Sequence, residues 1–335
     1  MSPRTSGPRG AAVASGPRGA VTSGPYAPPV PARTLTVASA DGARLHVEVH
    51  GPEDAPPVVL SHGWTCSTAF WAAQIRDLAA DHRVIAYDQR GHGRSPASPA
   101  CTPGALADDL EAVLAATLAR EERALIAGHS MGGMTIMAAA GRPRFREHAG
   151  AVLLCSTGSS RLVAEARVVP LRAGRVRTWI TGRVLGSRAP LGPVTPVARS
   201  VLKYATMGAG SAPHRVEACA RIVHACPRAV RHAWSAVLAA LDLDHGVREL
   251  YAPTAVVQGA SDRLTPPVHA RALADALPRC VGLTELPGIG HMTPIEAPEL
   301  VTGRIRELVT TYVTGAGPGD AHADGSTPAQ IKEGA

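Results

Sequence analysis

The period of the hydrophobic positions changes repeatedly along the chain, and each change marks an element. Arg33 to Val37 and Arg44 to Val49 alternate apolar and polar residues around Asp41-Gly42, which predicts a hairpin at a sheet edge. Pro57 to Ser61, Arg83 to Tyr87, Leu125 to Ala127 and Ala149 to Cys155 are short, largely apolar runs, as expected of strands covered on both faces. Between them, Ala69 to Ala80 and Thr102 to Leu118 have helical spacing. In the second, Leu106, Leu110, Val113, Leu114 and Leu118 fall on one face. From about Thr157 to His245 the pattern yields helices but no strand. Pro213 to Ala225 and Pro227 to Leu241 are the clearest, each opened by proline. The alternation then resumes: a strand at Thr254 to Gln258, a helix at Pro267 to Leu277, a strand at Val281 to Leu286 and a helix at Pro298 to Val313.

Strands that alternate with helices predict an α/β fold: a mostly parallel eight-stranded sheet with helices on both faces. The strandless stretch predicts a helical lid inserted into it. The expected boundaries are a core of residues 34–156 and 247–314, a lid of residues 157–246, and disordered tails of residues 1–33 and 315–335. The first tail is low-complexity: Ser6-Gly-Pro-Arg-Gly-Ala11 recurs as Ser15-Gly-Pro-Arg-Gly-Ala20. Such a segment buries too little surface to fold.

Composition adds a compartment and a charge map. The net charge is +7, yet it is unevenly spread. Residues 157–245 carry a balance of +9, the first 33 residues carry +4 without an acid, and the remainder is net acidic. A basic lid would steer an acidic or amphiphilic substrate, or rest weakly on an anionic membrane surface; a solvated exterior is the plainer alternative. Lysine occurs twice, asparagine never, so the arginine excess reflects codon bias and no nucleic-acid partner is read from it. Six scattered cysteines without a C-x-x-C pair, no transmembrane run and no signal-type h-region predict a cytoplasmic protein with reduced thiols. Cys219, His224 and Cys226 lie close together, but buried thiols beside a solvated histidine are expected there, not a metal.

The chemistry concentrates at Gly128-His129-Ser130-Met131-Gly132, a G-x-S-x-G pattern between an apolar strand and a Met/Ile/Ala-rich helix. A strand that turns at once into a helix with serine at the apex is a nucleophile elbow. The strained apex needs neighbours without bulk, which Gly128, Gly132 and Gly133 supply. Ser130 would also sit at a helix N-terminus, which favours a developing oxyanion. Serine needs a base, and the base an orienting acid. Asp262, in Gln258-Gly-Ala-Ser-Asp262-Arg-Leu-Thr-Pro266, and His291, in Gly288-Ile-Gly-His291, each follow a strand in the order Ser, Asp, His. Their alternatives are a helix cap for Asp262 and one of fourteen ordinary histidines for His291. The N–H groups of Met131 and Trp64 are the expected oxyanion donors. His62 and His129 read as structural, and Asp88 to Ser95 as a loop that braces the His62-Gly63 turn.

His62-Gly63-Trp64, Asp88-x-Arg90-Gly91-His92-Gly93-x-Ser95, Gly128 to Gly133, Asp262 with Pro266, and Gly290-His291 together resemble the α/β-hydrolase superfamily from about Thr34 to Val313. The resemblance implies a Ser130–Asp262–His291 triad, a serine hydrolase of esterase or lipase type with a helical lid between the sixth and seventh core strands, and no cofactor or metal. Serine at the apex argues against epoxide or haloalkane chemistry, and His129 before it against carbon–carbon cleavage. An acyltransferase or thioesterase, a cofactor-free haloperoxidase-like enzyme and a non-catalytic receptor remain alternatives. Substrate, chain length and oligomeric state are not legible.

Overall fold

The computed structural model describes residues 26–315. The tails expected at residues 1–33 and 315–335 therefore lie largely outside the described residues. Eight strands, β1 (Arg33–Ala38), β2 (Arg44–His50), β3 (Pro57–Ser61), β4 (Arg83–Tyr87), β5 (Ala124–His129), β6 (Ala149–Cys155), β7 (Thr254–Gly259) and β8 (Cys280–Leu286), form one sheet. Its order is β1-β2-β4-β3-β5-β6-β7-β8. β2 pairs antiparallel with β1 and with β4, and every other pair is parallel. β5, at the centre, is buried along its whole length. Side chains on a strand point alternately to opposite faces, so its short apolar run feeds two cores. Ala124 and Ile126 pack with the helices Pro103–Thr117 and Met131–Ala139, whereas Leu125 and Ala127 pack with Ala72–Leu78 and Pro298–Leu308.

Local chemistry sets the helix ends. The Thr102 side chain accepts from the Ala105 N–H at 3.1 Å and caps the helix that Pro103 opens. Between β6 and β7 there are six helices, Leu162–Glu165, Arg175–Leu185, Pro196–Thr206, Pro213–Ala225, Arg228–Ala239 and Asp244–Arg248. The expected helices at 213 and 227 are present; those at 175 and 196 are additions that the periodicity did not reveal. The helix read as Ala69 to Ala80 opens with a 3-10 turn, Thr68–Trp71, and the one read to Val313 ends in a π turn, Val309–Val313. No helix among the described residues is long and apolar enough to cross a membrane.

One buried ion pair ties the N-terminal hairpin to this frame. Arg90, 1% exposed, donates from Nε and Nη2 to the two carboxylate oxygens of Asp109 at 2.7 and 2.6 Å. Its Nη1 donates to Asp41 in the hairpin turn at 2.8 Å and to the Ala100 carbonyl at 2.9 Å. Removing one partner of such a pair strands a charge out of water. Asp109→Ala is expected to lower unfolding stability by roughly 3–5 kcal/mol, measured by urea denaturation; a loss under about 1 kcal/mol would contradict the reading. Arg90→Met/Asp109→Leu together are expected to recover part of the loss.

Candidate active site

β5 ends at His129, and the next residue, Ser130, takes φ 51° and ψ −116° before the helix begins at Met131. A non-glycine residue rarely adopts that backbone, so its surroundings must impose it. The Ser130 N–H donates to the Cys155 carbonyl at 2.9 Å, and its own carbonyl accepts from Thr157 Oγ1 at 2.8 Å and from the Met134 N–H at 3.1 Å. Space forces the two flanking glycines. A Cβ on Gly128 would stand 2.5 Å from the Gly132 carbonyl carbon, and one on Gly132 would overlap the Ser61 carbonyl oxygen.

His291 and Asp262 come together. His291 Nδ1 lies 2.8 Å from Asp262 Oδ2, and both residues are 3% exposed. The carboxylate only accepts, so Nδ1 carries the proton and Nε2 keeps its lone pair. Asp262 is held in turn. Its Oδ1 accepts from the N–H groups of Leu264 and Thr265 at 2.8 and 3.0 Å, and its Oδ2 accepts from Gln258 Nε2 at 3.1 Å. Thr265 Oγ1 stands 2.9 Å from Asp262 Oδ2, 3.1 Å from His291 Nδ1 and 3.1 Å from the Ser156 carbonyl.

Ser130, His291 and Trp64 line one cavity of about 330 Å³; Met131 is fully buried beside Ser130 and opens the helix. Its walls are mainly apolar, from Met134 and Leu162 on the core side to Leu185, Leu202 and Val223 on the helical insertion. Arg231 is the only arginine or lysine in that wall. Its Nη2 donates to the carbonyls of Ser187 and Ala189, while its own carbonyl accepts from Trp64 Nε1 at 3.1 Å.

Three further histidines near the site, His62, His92 and His129, are buried and hydrogen-bonded to backbone. His62 Nε2 accepts from the Gln89 N–H at 3.0 Å, which puts its proton on Nδ1, facing the Gly63 carbonyl at 2.8 Å. Burial drives its pKa down to about 3, so its 4.0 Å approach to Asp88 is no ion pair. His92 accepts from the Thr65 N–H at 3.2 Å, and burial lowers it to about 4. Gln89 also donates to the His62 carbonyl and accepts from Thr135 Oγ1 at 2.9 Å, so the loop after β4 braces the His62-Gly63 turn against the helix behind Ser130. His129 stacks on Phe70 at 4.4 Å, and its Nε2–H donates to the His291 carbonyl at 2.9 Å. Burial holds it well below an ordinary histidine.

Sequence reasoning missed four residues here: Thr265, Gln258, Arg231 and Glu296. The Glu296 carboxylate, 2% exposed, accepts from the N–H groups of Gly290 (3.1 Å), Met292 (3.2 Å) and Gly208 (2.7 Å), and from the Ser211 hydroxyl. It therefore pins the insertion to the loop that carries His291. Thr293-Pro-Ile-Glu296 is a capping-box spacing and was its one sequence signal. Cys219 is buried, all six cysteines are free, and among the described residues no metal-binding group of His, Cys, Asp or Glu forms.

The family model described as alpha/beta hydrolase family matches residues 58–304. The chain belongs to that family. One relative, named "Putative carbamate hydrolase RutD", from Variovorax paradoxus (strain S110), is 34% identical over 255 residues, 74% of this chain and 89% of its own. A 3-oxoadipate enol-lactonase 1 of Acinetobacter baylyi is 34% identical over 104 residues, 31% of this chain and 38% of its own. Among solved structures, a thermophilic esterase from Thermogutta terrifontis superposes with a TM-score of 0.68 at 26% identity, covering 84% of this chain and 100% of the esterase. The enol-lactonase of Burkholderia xenovorans LB400 gives 0.66 at 26% identity, covering 82% and 100%. The expected eight-stranded α/β-hydrolase fold is thus the fold of this chain.

The buried imidazoles give this α/β hydrolase a defined acid response. Below about pH 6.5 the unfolded chain protonates His62, His92 and His129, whereas the folded chain holds the first two to about 3 and 4 and the third well below its usual value. Stability conferred by their neutrality is lost as pH falls from about 6.5 toward 4. Asp88 opposes this, because burial raises it to about 6 and the folded state takes up that proton first. Asp109, also raised by burial, adds to that opposition, and His269, lowered by burial, adds to the fall, so four imidazoles against two carboxyls leave stability decreasing as the pH drops. Urea midpoints at pH 7.5, 6 and 5 are expected to decrease in that order; a flat or rising series would contradict neutral burial.

Proposed function

We propose that this α/β hydrolase is a serine hydrolase that cleaves small-molecule carboxylic esters or lactones through an acyl-enzyme on Ser130. The observation that carries the reading is the 2.8 Å contact of His291 Nδ1 with Asp262, in a wall shared with Ser130. A proton fixed on Nδ1 leaves Nε2 free to take the Ser130 proton as Oγ attacks the carbonyl. The Met131 and Trp64 N–H groups then stabilise the oxyanion, at a helix N-terminus that favours negative charge. His291 returns the proton to the leaving alcohol, and water repeats the sequence on the acyl-enzyme. Asp262, with its backbone N–H donors, orients the imidazole and balances its cation.

The names of the relatives support the bond class. Carbamate, enol-lactone and ester each present an acyl carbon with a heteroatom leaving group. The cavity supports a compact, largely apolar substrate. The helices between β6 and β7 form its outer wall and act as the lid that selects the acyl group. Six free thiols support a reducing, cytoplasmic setting.

A fluorophosphonate is expected to label the wild-type chain and not Ser130→Ala. Asp262→Asn is expected to lower kcat by about 10⁴ while leaving the circular dichroism spectrum unchanged. Labelling that survives in Ser130→Ala, or an Asp262→Asn variant with wild-type kcat, would overturn the assignment. Across p-nitrophenyl esters of increasing length, kcat/KM is expected to peak at short or medium acyl chains and fall once the chain outgrows the cavity.

A further inference from the structure

The insertion turns its apolar residues outward. Of the twelve large hydrophobic residues exposed among the described residues, eight lie between Leu171 and Tyr204. Helix Arg175–Leu185 buries Arg177 and Thr181 and presents Val176 and Trp179, each 67% exposed. Helix Pro196–Thr206 presents Val197 (73%) and Val201 (63%), one helical turn apart, with Tyr204 (43%) a further turn on. Patches of this kind mark interaction sites. The charge around them has one sign. Residues 166–216 contain nine arginines and lysines and not one aspartate or glutamate. Arg172, Arg175, Arg183 and Arg188 are exposed and have no ion-pair partner among the described residues.

The face is also continuous with the site. Val184 and Leu191 line the cavity that holds Ser130, and they are 56% and 43% exposed. The mouth therefore opens inside the apolar, cationic face. We propose that this face docks on an anionic lipid surface, with Trp179, Val197 and Val201 entering the interface and the arginines meeting the headgroups. Charge complementarity selects this occupant. A second copy would set like cations against each other, and the N-terminal tail carries Arg4, Arg9 and Arg18 without an acid. Docking places the mouth against the lipid phase, so that the site takes its acyl substrate from there; this last step rests on the hydrolase reading above.

Of the four tryptophans, Trp71 and Trp234 are fully buried, Trp64 is half-buried in the cavity wall and Trp179 is exposed, so the emission that Trp179→Phe removes isolates Trp179 as the probe. Vesicles of phosphatidylglycerol are expected to sediment the full chain and to shift its emission to the blue, with the shift absent in Trp179→Phe. Phosphatidylcholine vesicles are expected to do neither. Raising salt from 0.05 to 0.5 M is expected to weaken binding about tenfold or more. Val197→Asp/Val201→Asp is expected to lower vesicle affinity roughly tenfold and to leave hydrolysis of a water-soluble ester unchanged. Sedimentation without a Trp179 shift would assign binding to the tail and overturn the proposal. So would equal binding to both lipids, or a concentration-dependent dimer that the double variant abolishes. Vesicle binding with no fluorophosphonate labelling would instead count against the hydrolase reading alone, and labelling without vesicle binding against this inference alone.

Discussion

The site depends on backbone meeting backbone with nothing between. At the end of β5 the chain turns so tightly that Gly132 rests on the Ser61 and His62 carbonyls of the neighbouring strand end, and Gly128 rests on the Gly132–Gly133 peptide. Gly63 continues the contact: a Cβ there would lie 2.7 Å from His129 Nδ1 and 3.2 Å from Ser130 Cβ. Two segments distant in sequence, residues 61–63 and 128–133, are thus fixed by hard-sphere contact, which tolerates less displacement than side-chain packing. Ser130, at φ 51°, is the one non-glycine residue at the apex. A strain of about 1–3 kcal/mol is sustainable there because the hydrogen bonds to Cys155, Thr157 and Met134 leave it no alternative.

Around that contact the protein buries the imidazoles of His62, His92, His129 and His291 and surrounds them differently. His129 and His291 lie side by side, ring centroids 4.9 Å apart. His129 faces a carbonyl, and burial keeps it neutral. His291 faces a carboxylate that already accepts several donors. An imidazolium formed at His291 has a counter-charge at hydrogen-bond distance, and one formed at His129 or His62 has none. The same low-dielectric pocket therefore holds one imidazole with a counter-charge at hydrogen-bond distance and others without one. The difference lies in what each Nδ1 or Nε2 touches, not in exposure.

The sheet was legible because β3 to β7 are fully buried and read as short apolar runs, because the hairpin of β1 and β2 alternates apolar and polar residues, and because glycine punctuates the turns. The elbow turn and the pairing of Asp262 with His291 were legible because each residue lies at or shortly past a strand end. The helix at 175 was not, and the reason is physical. A helix is recognised by an apolar stripe that faces the core, whereas Arg175–Leu185 buries an arginine and a threonine and exposes valine and tryptophan. Its pattern is reversed, so periodicity locates no core face. Thr265 and Gln258 were hidden differently. Both sit in the stretch quoted for Asp262, but their role is to donate to that carboxylate, which only three-dimensional proximity reveals.

Glu296 carries this furthest. Its carboxylate joins Gly208 and Ser211, in the insertion, to Gly290 and Met292, which flank His291, across more than eighty residues of chain. The His291 N–H adds a bond of 2.7 Å to the Thr206 carbonyl, at the end of helix Pro196–Thr206. Leu202 and Ala205 on that helix line the cavity. The helix that shapes the pocket wall thus also supplies a hydrogen-bond acceptor to the backbone of the proposed base. Moving it as a unit would strip the partners from a buried carboxylate and from a buried N–H together, and each unsatisfied group costs about 1–3 kcal/mol or more. Pocket shape and the position of the imidazole are therefore coupled. Exchanging the insertion for that of another α/β hydrolase transfers specificity only if the acceptor at 206 and the donors at 208 and 211 are kept with it.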